Sequence, residues 1–259
     1  MTAGIVSRPS PNHDARPDGA RVDMLVMHYT GMKTAEEALS RLCDPVARVS
    51  SHYTVDVDGT IYAHVPEEMR AWHAGISWWA GEANVNGSSV GIEIVNPGHE
   101  FGYVEFPQVQ IAAVIDLSCE IMARHRIAPA RVVGHSDVAP ARKEDPGELF
   151  PWVELAEFGV GIWPFEKMAP LSVAHQMAAP LWGDRSSRGG EATSSLEEVG
   201  AREFRDNLRN FGYGVPPEVD VPLEKVVRAF QRHWRPWKID GIIDEESAYR
   251  LAKLLDALS

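Results

Sequence analysis

The sequence has only two cysteines in 259 residues, Cys43 and Cys119, which excludes a disulfide-rich scaffold and a zinc site built from several cysteines. Two free thiols are the favoured interpretation, with a single disulfide as the alternative. No apolar run approaches the roughly 18 residues of a membrane-spanning helix. The N-terminal MTAGIVSRPSPNHDARPDGARVD also lacks the apolar core of a secretory signal. We therefore expect no membrane insertion and a cytoplasmic location, with a periplasmic or wall-associated location as the alternative.

Positive charge is also scarce. The chain has 25 lysines and arginines against 37 acidic residues, and its formal net charge is -12. Because affinity for nucleic acids depends largely on contacts between basic side chains and phosphates, this balance argues against a nucleic-acid partner. A hydrophobic content of 44% is nevertheless sufficient for a sizeable core in a chain of this length.

Strand and helix signals alternate from Val22 to about Phe158, which predicts an α/β (α+β) fold with a mixed central sheet flanked by helices. Short apolar runs predict strands over 22–30, 88–95 and 131–135, and an alternating pattern around Asp58 and Gly59 predicts a hairpin over 52–65. Helices are predicted over 34–42, which opens with a threonine cap and has a glutamate three residues on, and onward from Pro107, which suits a first helical turn.

The pattern changes after residue 165. Small polar residues dominate GDRSSRGGEATSS, so residues 166–195 are interpreted as a linker. Beyond it the apolar residues follow helical spacing in three segments, which predicts a small all-α three-helix bundle. The predicted domains are 1–165, a mixed α/β domain, and 196–259, a helical domain.

Two of the predicted strands end on a histidine, since His28 closes MLVMH and His135 closes VVGH. Open α/β sheets display their chemistry at such strand ends. Asp145 could return to the same point through the loop SDVAPARKEDPG. Two nitrogen donors and one oxygen donor, with a fourth position left open, are the composition of a catalytic zinc site. From spacing alone, ordinary hydrogen-bonded histidines are the alternative.

Five motifs occur in a fixed order: LVMHYTG, SSHYTVDVDGTIYAHVPE, AWHAG, SVGIEIVNPG and GHSDVAPARKEDPG. Together they resemble the zinc-dependent N-acetylmuramoyl-L-alanine amidases of the AmpD type, which are relatives of the peptidoglycan-recognition proteins. The resemblance covers roughly residues 8 to 165. The C-terminal segments VVRAFQRHW and IDGIIDEESAYRLAKLL resemble the small three-helix peptidoglycan-binding domain that is often attached to wall enzymes.

The resemblance implies hydrolysis of the amide bond between the lactyl group of N-acetylmuramic acid and the L-alanine of the stem peptide, with one Zn²⁺ per chain. His28, His135 and Asp145 match the family's zinc ligands. Glu93 of GIEI matches the acidic residue that activates water, and Lys143 of RKEDPG matches the cationic residue near the developing oxyanion. Amide hydrolysis at neutral pH needs a strengthened nucleophile, a proton acceptor and positive charge at the oxyanion. Without the resemblance, an ion pair for Glu93 and a solvated loop position for Lys143 would be favoured.

Five further residues are candidate substrate contacts. An aromatic segment, AWHAGISWWAG, would suit a cleft that binds a sugar-peptide, although tryptophans often serve packing alone. A residue after the Glu93 strand and an arginine beside Lys143 are further candidates, the latter for a stem-peptide carboxylate. The candidates are Trp72, His73, Trp79, Asn96 and Arg142.

The expected partners are muropeptides or peptidoglycan, and several functions stay open. The missing signal favours anhydromuramyl peptides in cell-wall recycling, whereas a wall-binding module favours polymeric peptidoglycan, as in autolysins or endolysins. The chain could also be a non-catalytic peptidoglycan receptor, or a metallopeptidase that cuts within the stem peptide. The three filled ligand positions argue against the receptor, because such proteins typically lack a zinc ligand.

Overall fold

The computed structural model describes residues 4–165 and 190–259. Residues 4–165 are called the N-terminal part below. Its strands are β1 (Val6–Ser7), β2 (His13–Ala15), β3 (Met24–Tyr29), β4 (Tyr53–Val55), β5 (Ile61–Ala63), β6 (Met69–Ala71), β7 (Ser89–Ile94) and β8 (Val132–Gly134). Its helices are α1 (Ala35–Cys43), α2 (Val85–Ser88), α3 (Gly98–Phe101), α4 (Gln108–His125), α5 (His135–Val138) and α6 (Trp152–Glu157).

Six of these strands form one mixed sheet in the order β1-β5-β4-β7-β3-β8. β3 pairs in parallel with β7 on one side and with β8 on the other, while β4 and β5 form an antiparallel hairpin. β2 and β6 make a separate two-stranded antiparallel sheet. The predicted mixed sheet with flanking helices is therefore confirmed.

The hairpin and the first helix form for the reasons that the sequence indicated. Gly59 occupies the turn between β4 and β5 with φ of 85°, a conformation that side chains other than hydrogen disfavour. Thr34 caps α1, because its hydroxyl accepts the backbone N–H of Glu37 at 3.2 Å. Both features match the predicted elements.

Alternating residues of β3 face opposite sides of the sheet. Leu25 and Met27 pack in a core with α4, whereas Met24 and Val26 belong to a core on the other face. His28 shares the parity of Met24 and Val26, so it projects away from α4. This second face is the one that carries the candidate active site.

Three helices follow in the second described range: α7 (Gly190–Phe211), α8 (Leu223–Trp234) and α9 (Glu245–Asp256), called the C-terminal helices below. α7 and α9 contact each other, which confirms the predicted helical C-terminal region. Residues 166–189 of the predicted linker lie outside the described residues, and α7 begins before the predicted end of the linker at residue 195. The domain boundaries stay a prediction.

The C-terminal helices do not stand apart from the N-terminal part. One continuous apolar core contains residues of both: Met24, Val26, Ala74, Trp79, Val85, Val133, Val138, Ala139, Phe204, Leu208, Phe211, Tyr213, Val215, Val226, Val227, Ala229, Phe230, Trp234, Leu251 and Leu254. The second face of the sheet is thus covered in part by helices that lie far along the chain.

None of the described helices combines the length and apolar character needed to cross a bilayer. Cys43 and Cys119 are both free and partly buried, as favoured from the sequence.

His52 generates a test of how burial affects stability. This fully buried ring accepts the backbone N–H of Gly91 at 3.0 Å, and burial, aided by the charge of Arg16, lowers its pKa to about 3. The folded protein keeps the ring neutral, while the unfolded chain takes up a proton below its ordinary pKa of 6.5. The free energy of unfolding should therefore decrease as the pH drops below 6.5, and His52 should contribute about 1.4 kcal/mol of this decrease per pH unit.

Urea unfolding at about pH 7 and about pH 5 measures this dependence. We expect a shallower loss of stability in His52→Gln than in the wild type, whatever the absolute stability of the variant. Equal pH dependence in the two proteins would contradict the assignment.

Candidate active site

The two strand-end histidines meet at one edge of the sheet. His28 lies near the end of β3, and His135 follows β8 directly, on the first residue of α5. Because β3 and β8 are parallel neighbours with Met27 opposite Gly134, their carboxyl ends lie together. The ring centroids are 4.4 Å apart, and both side chains are almost completely buried.

Asp145 completes a cluster with these rings. The loop after α5 returns to the sheet edge, where the N–H of Ser136 donates to the carbonyl of Asp145 at 2.8 Å. The Nδ1 atoms of His28 and His135 are 2.9 Å apart. Asp145 Oδ2 lies 3.1 Å from the first and 2.9 Å from the second. We call these three residues the His-His-Asp triad, and no other group of this kind occurs among the described residues.

Hydrogen bonds behind the rings fix which nitrogen faces the cluster. His135 Nε2 lies 3.1 Å from the carbonyl oxygen of Ala74, which can only accept, so Nε2 carries the proton. Ser89 donates its hydroxyl proton to the carbonyl of Val85 and therefore accepts from His73 Nε2 at 3.2 Å. His73 Nδ1 is then left as the acceptor for His28 Nε2, at 3.0 Å. Both Nδ1 lone pairs of the triad consequently point into the cluster.

Two lone pairs and a carboxylate at such short distances repel one another unless a cation lies between them. Burial is the main cause that lowers the pKa of His28 to about 4, and the nearby His135 is the second. The lowered pKa favours the neutral ring that a metal needs. Burial would raise the pKa of Asp145, but His135 and His28 hold it below its ordinary value, so the carboxylate stays ionised. The donor set therefore fits a metal ion held by two imidazoles and one carboxylate, a set typical of catalytic zinc.

A pocket of about 180 Å³ opens on the triad. Its walls come from β3, α1, β7 and the loops that carry His73 and Asp145. They are Tyr29, Thr30, Met32, Ala38, Arg41, Leu42, Val49, Ser50, Trp72, His73, Glu93, His135, Lys143 and Asp145. A substrate in this pocket would reach the triad from the side that the protein leaves open.

Glu93 and Lys143 share this pocket. Glu93 lies level with His28 across the β3–β7 pairing, and its Oε2 is buried without a hydrogen-bond partner. Burial, together with the charge of Asp145, raises the pKa of Glu93 well above its ordinary value, and Lys143 opposes the shift. A carboxylate with raised proton affinity and a free oxygen in the pocket is suited to accept a proton.

The structure brings two of the five candidate substrate contacts to the pocket wall. Trp72 is half-buried there, with the Arg48 guanidinium 5.7 Å from its ring centroid. His73 also lines the pocket, but its ring nitrogens are engaged with His28 and Ser89. The position of His73 thus supports orientation of a triad ring more directly than contact with a substrate.

The other three candidates lie elsewhere. Trp79 is 1% exposed and packs edge-on against Phe211 and Tyr213 of the C-terminal region. Asn96 is buried, donates to the carbonyl of Val104 and accepts the N–H of Gly98. Both side chains make contacts within the protein. The structure does not support a contact between either of them and a substrate.

Arg142 is likewise engaged with the backbone. Its guanidinium donates to the carbonyls of Ala74 and Ile76 and so holds the loop that carries the acceptor of His135. These hydrogen bonds use the Nε and Nη2 atoms of Arg142, so this residue has a role in the fold that is separate from any contact with a stem-peptide carboxylate.

Sequence reasoning missed three partners of the site. Ser89 and Ala74 orient the histidines, and Arg41, on the last turn of α1, adds a cation to the pocket wall. A backbone carbonyl leaves no mark in the sequence, so Ala74 could not have been found. The motif AWHAG did identify His73 as a candidate residue, but it did not reveal that His73 orients His28.

His73 provides a test of this orientation. Replacement by Phe removes the acceptor of His28 Nε2 and should lower divalent-metal affinity roughly 10-fold to 100-fold, as for other partners of ligating histidines. His73→Gln, which keeps an acceptor oxygen, should lose less. Competition with a chromophoric chelator measures both, and wild-type affinity in His73→Phe would refute the role.

Comparison with known proteins places this geometry in a family. The family described as Amidase_2, N-acetylmuramoyl-L-alanine amidase, matches residues 18–148. AmiD of Escherichia coli is 36% identical over 271 residues, covering 98% of this chain and 91% of AmiD. The 1,6-anhydro-N-acetylmuramyl-L-alanine amidase AmpD of Citrobacter freundii is 34% identical over 57% of this chain and 86% of its own length.

Solved structures agree. AmiD from Escherichia coli, in complex with anhydro-N-acetylmuramic acid-L-Ala-D-gamma-Glu-L-Lys, has a TM-score of 0.74 and 34% identity, covering 93% of this chain and 92% of its own. AmpDh3 from Pseudomonas aeruginosa, in complex with anhydromuramic pentapeptide, has a TM-score of 0.74 and 33% identity, covering 93% and 94%. Because the family match includes the whole triad and AmiD is similar over nearly the full length, this chain belongs to the N-acetylmuramoyl-L-alanine amidase family.

Proposed function

We propose that this amidase is zinc-dependent and hydrolyses the bond between the lactyl group of N-acetylmuramic acid and L-alanine in anhydromuramyl peptides, as in cell-wall recycling. The observation that carries the proposal is the buried triad, of which His135 and Asp145 line a pocket together with Glu93 and Lys143. The substrate class is supported by AmiD and AmpDh3, two full-length relatives solved with anhydromuramyl peptides.

One zinc ion per chain is the proposed cofactor. His28 and His135 would hold it through Nδ1, and Asp145 through Oδ2, the three atoms that converge in the triad. Zinc in such a site supplies Lewis-acid activation of water at neutral pH. The buried hydrogen bonds of Ala74 and His73 keep both rings in the orientation that this binding needs.

Glu93 is the proposed proton carrier. Its buried Oε2 has no hydrogen-bond partner, and its raised pKa makes it a stronger base than an ordinary carboxylate. It would take the proton that the attacking water loses and pass it to the departing amine of L-alanine.

Lys143 is proposed to stabilise the oxyanion. The loop that ends at Asp145 carries it into the pocket, and its charge is close enough to oppose the pKa shift of Glu93. An ammonium group in a partly enclosed pocket interacts with developing negative charge more strongly than it would in water. Trp72, also on the pocket wall, offers an apolar face to the bound sugar-peptide.

Polymeric peptidoglycan is the second candidate substrate. The C-terminal helices resemble a wall-binding domain in sequence, and such a module would be useful on sacculi. A cytoplasmic location and the wall-binding role of residues 196–259 stay predictions.

Mass spectrometry of reaction products tests the proposal. The zinc-loaded protein is given anhydromuramyl tripeptide and, separately, intact sacculi, each with and without a chelator. We expect chelator-sensitive release of the intact tripeptide from the soluble substrate. Release only from sacculi would move the function to wall hydrolysis, and a cut within the stem peptide would make the protein a metallopeptidase. Binding without release from either would leave the receptor.

Glu93→Gln tests the proton carrier. The amide keeps the size of the side chain but cannot accept the proton, so turnover should fall at least about 100-fold while bound metal is retained. Metal content by atomic emission and steady-state rates measure the two properties. Glu105→Gln, at an exposed position, is the matched control and should keep the wild-type rate. A nearly normal rate in Glu93→Gln would remove this residue from the mechanism.

A further inference from the structure

The turn that carries His135 is held by a residue of α8 and by a residue that follows α7. Asp137, two residues after His135, is completely buried. Its Oδ2 accepts the backbone N–H of Gly134 at 2.7 Å, which caps the first turn of α5. The same carboxylate accepts two further hydrogen bonds. The hydroxyl of Tyr213 donates to Oδ1 at 2.6 Å, and Nδ1 of His233 donates to Oδ2 at 2.7 Å.

Both partners are themselves fixed. Tyr213 follows α7, is 1% exposed, and accepts the indole N–H of Trp234 at 3.2 Å. The His233 ring stacks on two indoles, with centroids 3.8 Å from Trp152 and 3.7 Å from Trp234. Because neither side chain can turn away without breaking these contacts, their direction toward Asp137 is set by packing.

A second contact lies next to another residue of the triad. Arg232 of α8 donates to Glu144 at 2.9 Å, and Glu144 directly precedes Asp145. In addition, α8 contacts the short helix α5 directly. The C-terminal helices therefore touch the chain next to two of the three triad residues.

A buried carboxylate with three donors is difficult to disturb, since each lost partner leaves part of the charge uncompensated. α5 has only four residues, so its own hydrogen bonds fix His135 weakly. The position of its first residue then depends on what holds Asp137.

We infer that Tyr213 and His233 are positioning residues of the metal centre, which they act on through Asp137. The C-terminal helices thus have a role in metal binding that is separate from any contact with the cell wall. This inference rests on the proposed metal role of the triad. It requires that loss of the two donors weakens metal binding even in the absence of substrate.

The test compares two kinds of damage to the full-length protein. Tyr213→Phe/His233→Phe removes both donors while keeping two aromatic rings in place. Leu254→Ala loosens the apolar core of the same helices, where Leu254 is fully buried, without touching Asp137. Zinc affinity is measured by chelator competition, and the visible spectrum of the cobalt-substituted protein reports the geometry of the ligands.

We expect the zinc Kd of the double variant to rise roughly tenfold, within the range found for outer partners of ligating histidines, and its cobalt spectrum to change. Leu254→Ala should lower the unfolding temperature and leave the Kd within about twofold. With anhydromuramyl tripeptide, kcat of the double variant should fall more than KM rises. Tyr213→Phe alone serves if the double variant does not fold.

An unchanged Kd in the double variant would overturn the inference, and so would an equal rise in Leu254→Ala, because general loosening would then explain it. His135→Ala distinguishes a failure of this inference from a failure of the proposed metal site. If that variant kept full zinc affinity, the triad itself would be the wrong site.

Discussion

The parallel pairing of β3 with β7 and with β8 is the constraint on which the site depends. It brings the carboxyl ends of three strands to one edge, so that His28 lies level with Glu93 and beside His135, and Glu93 and His135 line a common pocket. The two-residue period of a strand then decides the face. A shift of β3 by one residue would turn His28 toward α4 and bury it in the wrong core.

Backbone carbonyls near the pocket determine which nitrogen of each triad histidine carries the proton. The carbonyls of Ala74 and Val85 can only accept hydrogen bonds. The carbonyl of Ala74 accepts directly from Nε2 of His135, and that of Val85 acts through Ser89 and His73 on Nε2 of His28. The free energy needed to gather two neutral imidazoles and a carboxylate in a buried place comes from folding. A metal ion therefore meets ligands that are already oriented, which limits the reorganisation needed on binding.

Much of this arrangement could be predicted from the sequence, for identifiable reasons. Apolar runs that end on histidine predicted the strands and their sheet edge, and the glycine and threonine signals predicted the hairpin and the start of α1. Side-chain direction was harder to predict. Trp79 stands in the same aromatic segment as Trp72, yet it faces Phe211 and Tyr213, which follow more than a hundred residues later in the sequence. Asn96 and Arg142 bond to backbone groups, and local spacing does not reveal such partners.

The apolar core shared by the sheet and the C-terminal helices has a consequence for protein engineering. One approach to engineering such an enzyme is to fuse its catalytic part to a different targeting domain. In this chain, a cut near residue 165 would expose Trp79, Val138 and Ala139 to water on a single patch. A transplanted N-terminal part would tend to aggregate through that patch unless polar residues were first introduced there. The N-terminal part and the C-terminal helices are better transferred together, as one unit.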